Sequence, residues 1–230
     1  MKLSLALLFL FTNYAIAQKV KVACIGNSIT AGYLLANPPQ EAYPVQLQNL
    51  LGDTFEVGNF GFSGATLLKK GHRPYFNTKA FKDVLAYKAD IAIIHLGLND
   101  TDPRNWPNFK DDFQRDYQWL IDTLKQGNPK LKLYICKLTP IFSGHARFKS
   151  GTRDWYWQIQ EKIEQVAEAN KLPLINLSEN LNQRPDLFAD YLHPDIIGAG
   201  IIARTVYEHL TGNFGGFSID PIFADHMVLQ

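Results

Sequence analysis

Four short motifs, set in order along the 230-residue chain, hold residue types that can do acyl-transfer chemistry. The first is Gly26-Asn27-Ser28-Ile29-Thr30, directly after an apolar run over residues 20–25. The second is Asn59-Phe60-Gly61-Phe62-Ser63-Gly64-Ala65-Thr66, and the third is Gly97-Leu98-Asn99-Asp100, directly after an apolar run over 91–96. The fourth is Asp190-Tyr191-Leu192-His193-Pro194. Together they supply a nucleophile, a base, a group to orient the base, and N–H donors for a developing oxyanion. Ser28 is the expected nucleophile, since a serine at the carboxyl end of a strand aims its hydroxyl into the crevice where open α/β sheets bind ligands. His193 is the expected base. Asp190 lies three residues away on the same loop, so it can reach the second ring nitrogen without help from the rest of the fold. Gly64 can offer a backbone N–H at close approach because it has no Cβ. The Asn99 side chain and the Ser28 backbone N–H complete the expected oxyanion donors. Ser63 is a second serine beside Gly64. Asn59 and Asp100 are read as loop supports.

The other histidines are weaker candidates. His95 falls inside a central apolar run, as a hydrogen-bonded core residue would, and His72, His145, His209 and His226 fall in loops, the last helix or the tail. No Gly-x-Ser-x-Gly pentapeptide surrounds any serine, which argues against the α/β-hydrolase elbow. Arg104, Trp106, Tyr75, Trp155 and Trp157 stand near loops that could rim the site, where aromatic faces can stack on sugars.

The four motifs resemble the blocks of the SGNH hydrolases, the GDSL esterase/lipase family, and the resemblance spans nearly all of residues 20–212. Its name-giving positions fall on Ser28, Gly64, Asn99 and His193. One departure is that Asn27 stands where the family usually has an aspartate, at a position outside the triad. The resemblance implies a serine esterase that needs no metal or organic cofactor.

These motifs need a scaffold that brings them to one edge, and the sequence describes one. Apolar runs alternate with amphipathic stretches, the pattern of βαβ units on a parallel sheet. Strands are expected at 20–25, 54–57, 90–96, 131–138 and 174–177. Helices are expected at about 44–51, 81–87, 109–126, 155–170 and 195–210. The run Ile91-Ala92-Ile93-Ile94 does not alternate, as befits a strand covered on both faces. The expected fold is a three-layer α/β/α flavodoxin-like domain with a five-stranded parallel sheet. The strand order implied by the resemblance is 2-1-3-4-5.

The two ends read differently. Met1-Lys2, an apolar stretch to Phe11 and Ala15-Ile16-Ala17 make the pattern of a secretory signal peptide over 1–17, too short to span a bilayer. The expected destination is outside the cell or the periplasm, with cleavage after Ala17. Residues 18–212 form the expected hydrolase domain. Residues 213–230 leave it through Gly212-Asn213-Phe214-Gly215-Gly216 and run apolar to the end, as a linker and the opening of a second module. The ending Phe223-Ala224-Asp225-His226-Met227-Val228-Leu229-Gln230 resembles the start of sialate O-acetylesterase domains.

Bulk composition narrows the partners. The net charge is +1, and without Lys2 the chain carries 22 basic and 22 acidic residues. Such a balance gives no footprint for nucleic acid and favours neutral esters, small or glycan-borne, over polyanions. No segment predicts stable membrane insertion, and nothing sets an oligomeric state. The two cysteines, Cys24 and Cys136, sit in apolar runs of non-adjacent strands and read as buried thiols. No Cys/His pair has zinc-ligand spacing. The expected activity is carbohydrate O-acetyl ester hydrolysis, of sialate or another acetylated glycan. A lysophospholipase or thioesterase would use the same triad, and a glycan-binding module could keep the fold without catalysis.

Overall fold

A computed structural model describes residues 18–213 except residue 150. The signal-peptide expectation and most of the expected second module therefore lie outside the described residues. The core is one parallel sheet of five strands: β1 (Val20–Gly26), β2 (Phe55–Gly61), β3 (Ile91–His95), β4 (Lys132–Lys137) and β5 (Leu174–Asn176). Their order is β2-β1-β3-β4-β5, as expected. Ile25 registers with Phe60 on one side and Ile94 on the other, and Ile94 registers with Ile135. Ile25, Ile93, Ile94 and Ile135 are wholly buried. Each such side chain contributes roughly 1.5–3 kcal/mol of apolar burial.

Six helices matter for the site. After β1 comes a single turn, α1 (Ser28–Ala31), and then α2 (Tyr43–Leu51). The crossovers carry α3 (Lys79–Tyr87), α4 (Phe113–Gly127) and α5 (Thr152–Ala169), and the chain then forms α6 (Ile196–Thr211). α2 packs against α6, and α4 packs against α5. Side-chain caps set three of these helix starts: Asn27 accepts from Ile29 N–H, Thr78 from Phe81 N–H, and Asp195 from Gly198 N–H.

Two elements differ from expectation. β2 runs to Gly61, four residues beyond the expected end, and takes in Gly58 and Gly61, residue types that weaken the strand signal. A Cβ at Gly61 would lie 2.2 Å from the Ala31 backbone nitrogen, so the glycine is what lets α1 sit against β2. The expected helix over 109–126 is broken. A short helix, Trp106–Phe109, and a 3₁₀ turn, Lys110–Asp112, precede α4. The apolar spacing carries through that break and hides it. Cys24 and Cys136 are both buried free thiols, with β3 lying between their strands, and burial pushes the Cys24 thiol up to about 12.

His95 lies fully buried in β3. Its Nε2 accepts from Thr139 N–H at 3.4 Å, and among the described residues its Nδ1 has no partner. Burial pushes its pKa down to about 4. The unfolded chain, with an ordinary value near 6.5, takes up a proton that the folded chain refuses. This contribution to stability is therefore complete above pH 6.5 and is lost as pH falls toward 4, by about 3 kcal/mol. Urea unfolding of wild type and His95→Gln from pH 7 to 4 should show a shallower acid loss in the variant. Parallel curves would contradict the reading.

Candidate active site

The four motifs meet at the carboxyl edge of β1, β2 and β3. β1 delivers Asn27 and Ser28 to the start of α1, where the Asn27 side-chain oxygen accepts from Ile29 N–H at 3.0 Å. Asn27 thus caps the turn through its oxygen, the part of the side chain that aspartate shares. Its Nδ2 has no partner among the described residues. Ser28 is only 5% exposed.

The Ser28 hydroxyl lies 2.9 Å from Nε2 of His193, and His193 Nδ1 lies 2.7 Å from Oδ2 of Asp190. The other carboxylate oxygen, Oδ1, accepts two backbone N–H groups, from His193 at 2.7 Å and Leu192 at 3.1 Å. Partial burial pushes the Asp190 carboxyl up, but the hydrogen bonds from the His193 ring and backbone and from Leu192 outweigh it and hold it below its ordinary value. The loop turns tightly enough for this because Tyr191 adopts φ +66°, a conformation costly for a bulky residue and one that clusters at functional sites. The Tyr191 ring packs over Gly144, and the Tyr33 and His193 rings meet edge to face with centroids 4.9 Å apart.

Gly64 occupies the third position of a turn closed by Ala65 N–H to Phe62 C=O, with φ +80°, which favours glycine. Asp100 anchors this loop: its carboxylate accepts from Leu67 N–H at 2.9 Å and Leu68 N–H at 2.8 Å. Burial pushes Asp100 up to about 7, against the pull of those two donors. Asn59 accepts from Gly61 N–H. Asp100 supports a loop, as the sequence suggests, whereas Asn59 lies within β2 and bonds the end of that strand.

Asn99 sits in the 3₁₀ turn Leu98–Thr101 after β3. Its Nδ2 donates to Ala65 C=O at 3.0 Å, so the Asn99 amide and the Gly64 loop are tied together. Its backbone carbonyl accepts from Asn105 Nδ2 at 2.9 Å, and its Oδ1 accepts from Arg147 Nη1 at 3.2 Å. Sequence reasoning missed Tyr33, Asn105 and Arg147. Arg147 carries no periodic or motif signal, and 48 residues separate it from Asn99.

The expected rim residues divide. Trp106 and Tyr75 are core residues, 1% and 2% exposed, with their polar atoms bonded to Gln158 and to Phe60 C=O. Arg104 is exposed and holds Asp102 through two bonds of 2.9 Å. Trp155 packs against the core, whereas Trp157 is exposed. Trp157 lines a cavity of about 320 Å³ with Phe142, Phe148, Arg153, Tyr156 and Asn182, among others. Neither Ser28, Gly64, Asn99 nor His193 lines it. Among the described residues there is no cluster of three metal-ligating side chains and no helix long and apolar enough to cross a membrane.

A serine, histidine and aspartate linked in this way have the geometry of the serine-type hydrolases. The model of the GDSL-like lipase/acylhydrolase family matches residues 24–200, and the chain belongs to that family. An acetylxylan esterase from Xylanibacter ruminicola is 34% identical over 214 residues, covering 81% of this chain and 42% of the relative. The chain thus spans less than half the length of that relative. Among solved structures, a carbohydrate acetylesterase from Sinorhizobium meliloti superposes with a TM-score of 0.67 at 17% identity, covering 85% of this chain and 100% of the other. An acetyl xylan esterase superposes with a TM-score of 0.64 at 22% identity, covering 83% and 100%. At these identities the two structures speak for the fold.

Proposed function

We propose that this chain is a carbohydrate O-acetylesterase in which Ser28, His193 and Asp190 form the catalytic triad. The observation that carries the reading is the continuous hydrogen-bonded chain from Asp190 through His193 to Ser28. Ser28 Oγ attacks the ester carbonyl carbon while its proton passes to His193 Nε2. The carbonyl oxygen becomes an oxyanion facing the N–H groups of Ser28, Gly64 and Asn99 Nδ2. His193 then protonates the departing sugar oxygen, leaving an acetyl-serine. Water gives its proton to His193, attacks that ester, and releases acetate with Ser28 restored.

The acetylxylan esterase relative and the carbohydrate acetylesterase of like fold support an acetylated glycan as substrate. We read residues 1–17 as a signal peptide that sends the protein where polymer-bound acetyl esters are met. We read residues 213–230 as a linker and the opening of a second module. The resemblance of that ending to sialate O-acetylesterases supports a shared substrate.

The nucleophile and base are 5% and 8% exposed, so the acyl group meets a confined site. The apolar cavity beside Trp157 is lined by none of the residues assigned to the chemistry. A series of nitrophenyl esters from acetate to palmitate should therefore show kcat/KM highest at acetate and low beyond about six carbons, since a long chain forgoes roughly 0.8 kcal/mol per unburied CH₂. Acetylated xylan and acetylated sialic acid, tested next, separate the two glycan classes. A steady rise from acetyl to octanoyl would move the assignment to a lipase or thioesterase.

A further inference from the structure

The orientation of the Asn99 amide is fixed by two partners with opposite chemistry. The Ala65 carbonyl can only accept, so it faces the Asn99 NH₂ group. A guanidinium can only donate, so Arg147 faces the Asn99 carbonyl oxygen. Both contacts demand the same flip state. Ala65 uses one of the two N–H groups on Nδ2, which leaves the second for an oxyanion. A cation bonded to Oδ1 also draws electron density through the amide and makes its N–H groups stronger donors.

Arg147 reaches Asn99 from an element unconnected to the four motifs, the 3₁₀ turn Ala146–Lys149 in the loop after β4. It is largely shielded from water, and burial pulls its pKa down while Asp102 and Asp190 draw it up. Arg104 carries the bidentate bond to Asp102. The Arg147 guanidinium lies on the amide oxygen of the expected oxyanion donor.

We propose that Arg147 is a positioning residue for the ester hydrolysis, locking and polarising the Asn99 amide so that its second N–H meets the oxyanion. This rests on the reading of Asn99 as an oxyanion donor. In this role Arg147 acts through Asn99.

The test is a double-mutant cycle on the full chain with nitrophenyl acetate. Arg147→Met keeps the side-chain length and removes the donors. It should lower kcat roughly 10- to 100-fold, the range of a charge-assisted hydrogen bond, with KM within about twofold. Asn99→Ala alone should lower kcat roughly 10²–10³-fold. The double variant should be no slower than Asn99→Ala, because Arg147 has then lost the group through which it works. Arg147→Lys, which keeps a charged donor, should recover part of the rate. Thermal melts of each variant separate a folding defect from a rate effect, and if Arg147→Met melts early, the Arg147→Lys variant carries the same cycle.

Losses that multiply fully in the double variant would overturn the proposal and make Arg147 independent of Asn99. A loss confined to KM would overturn it too and make Arg147 a substrate contact. Either result leaves the esterase reading standing. Wild-type kcat in Asn99→Ala would overturn the proposal together with the assignment of the oxyanion donor.

Discussion

Ser28→Ala will leave the fold intact and lower kcat by about 10⁵–10⁶-fold, the scale on which triad nucleophiles matter. Ser28 opens α1, where alanine is a good helix former, and the turn keeps its Asn27 cap and the backbone bond from Tyr33 N–H to Ser28 C=O. Melting temperature should therefore hardly move while turnover collapses. What survives is the modest rate from binding and the oxyanion donors. Ser63→Ala is the matched control. The Ser63 carbonyl accepts from Arg73, a contact that does not use the hydroxyl. Losses of equal size at the two serines, measured as kcat on an acetate ester, would remove Ser28 from its role.

Asp190→Asn will cost roughly 10⁴-fold in kcat, and the hydrogen-bond pattern gives the reason. Asp190 Oδ1 accepts two backbone N–H groups, from Leu192 and His193. An asparagine must keep its single oxygen there, so its NH₂ group turns toward His193 Nδ1. That nitrogen then becomes an acceptor, and the ring proton moves to Nε2. A ring protonated at Nε2 cannot take the Ser28 proton. Asp190→Ala leaves the tautomer free, so it should be no slower than Asp190→Asn despite removing more atoms. An asparagine variant within tenfold of wild type would show that Asp190 does not set the tautomer.

The residues of the proposed site could be singled out in the sequence because each stands where local rules have force. Ser28 and Asn99 follow apolar strands, and such strand ends are ligand positions in parallel sheets. Asp190 and His193 are three residues apart, so their contact needs only one loop. Gly64 stands in a motif whose turn needs a positive φ. The strand order was legible through resemblance, since periodicity alone does not order parallel strands. What stayed hidden depends on tertiary packing. The expected strand ends at 57, yet β2 runs on to Gly61, whose missing Cβ leaves room for α1. Trp106 and Tyr75 read as rim aromatics, yet both are buried with satisfied polar atoms. Arg147 was invisible, because its partner is fixed by how the loop after β4 meets the turn after β3 and by nothing in its own neighbourhood.

The most direct measurement traps the covalent intermediate. The protein is mixed with an acetate ester, quenched in acid within milliseconds, and its peptides are analysed by mass spectrometry. One acetyl group is expected on the peptide bearing Ser28, none on the peptide bearing Ser63, and none on either within milliseconds when His193 is replaced by glutamine, because acylation needs the same base. Rapid hydrolysis with no acetyl group on any serine, or with the group on a residue other than Ser28, would contradict the role given to Ser28.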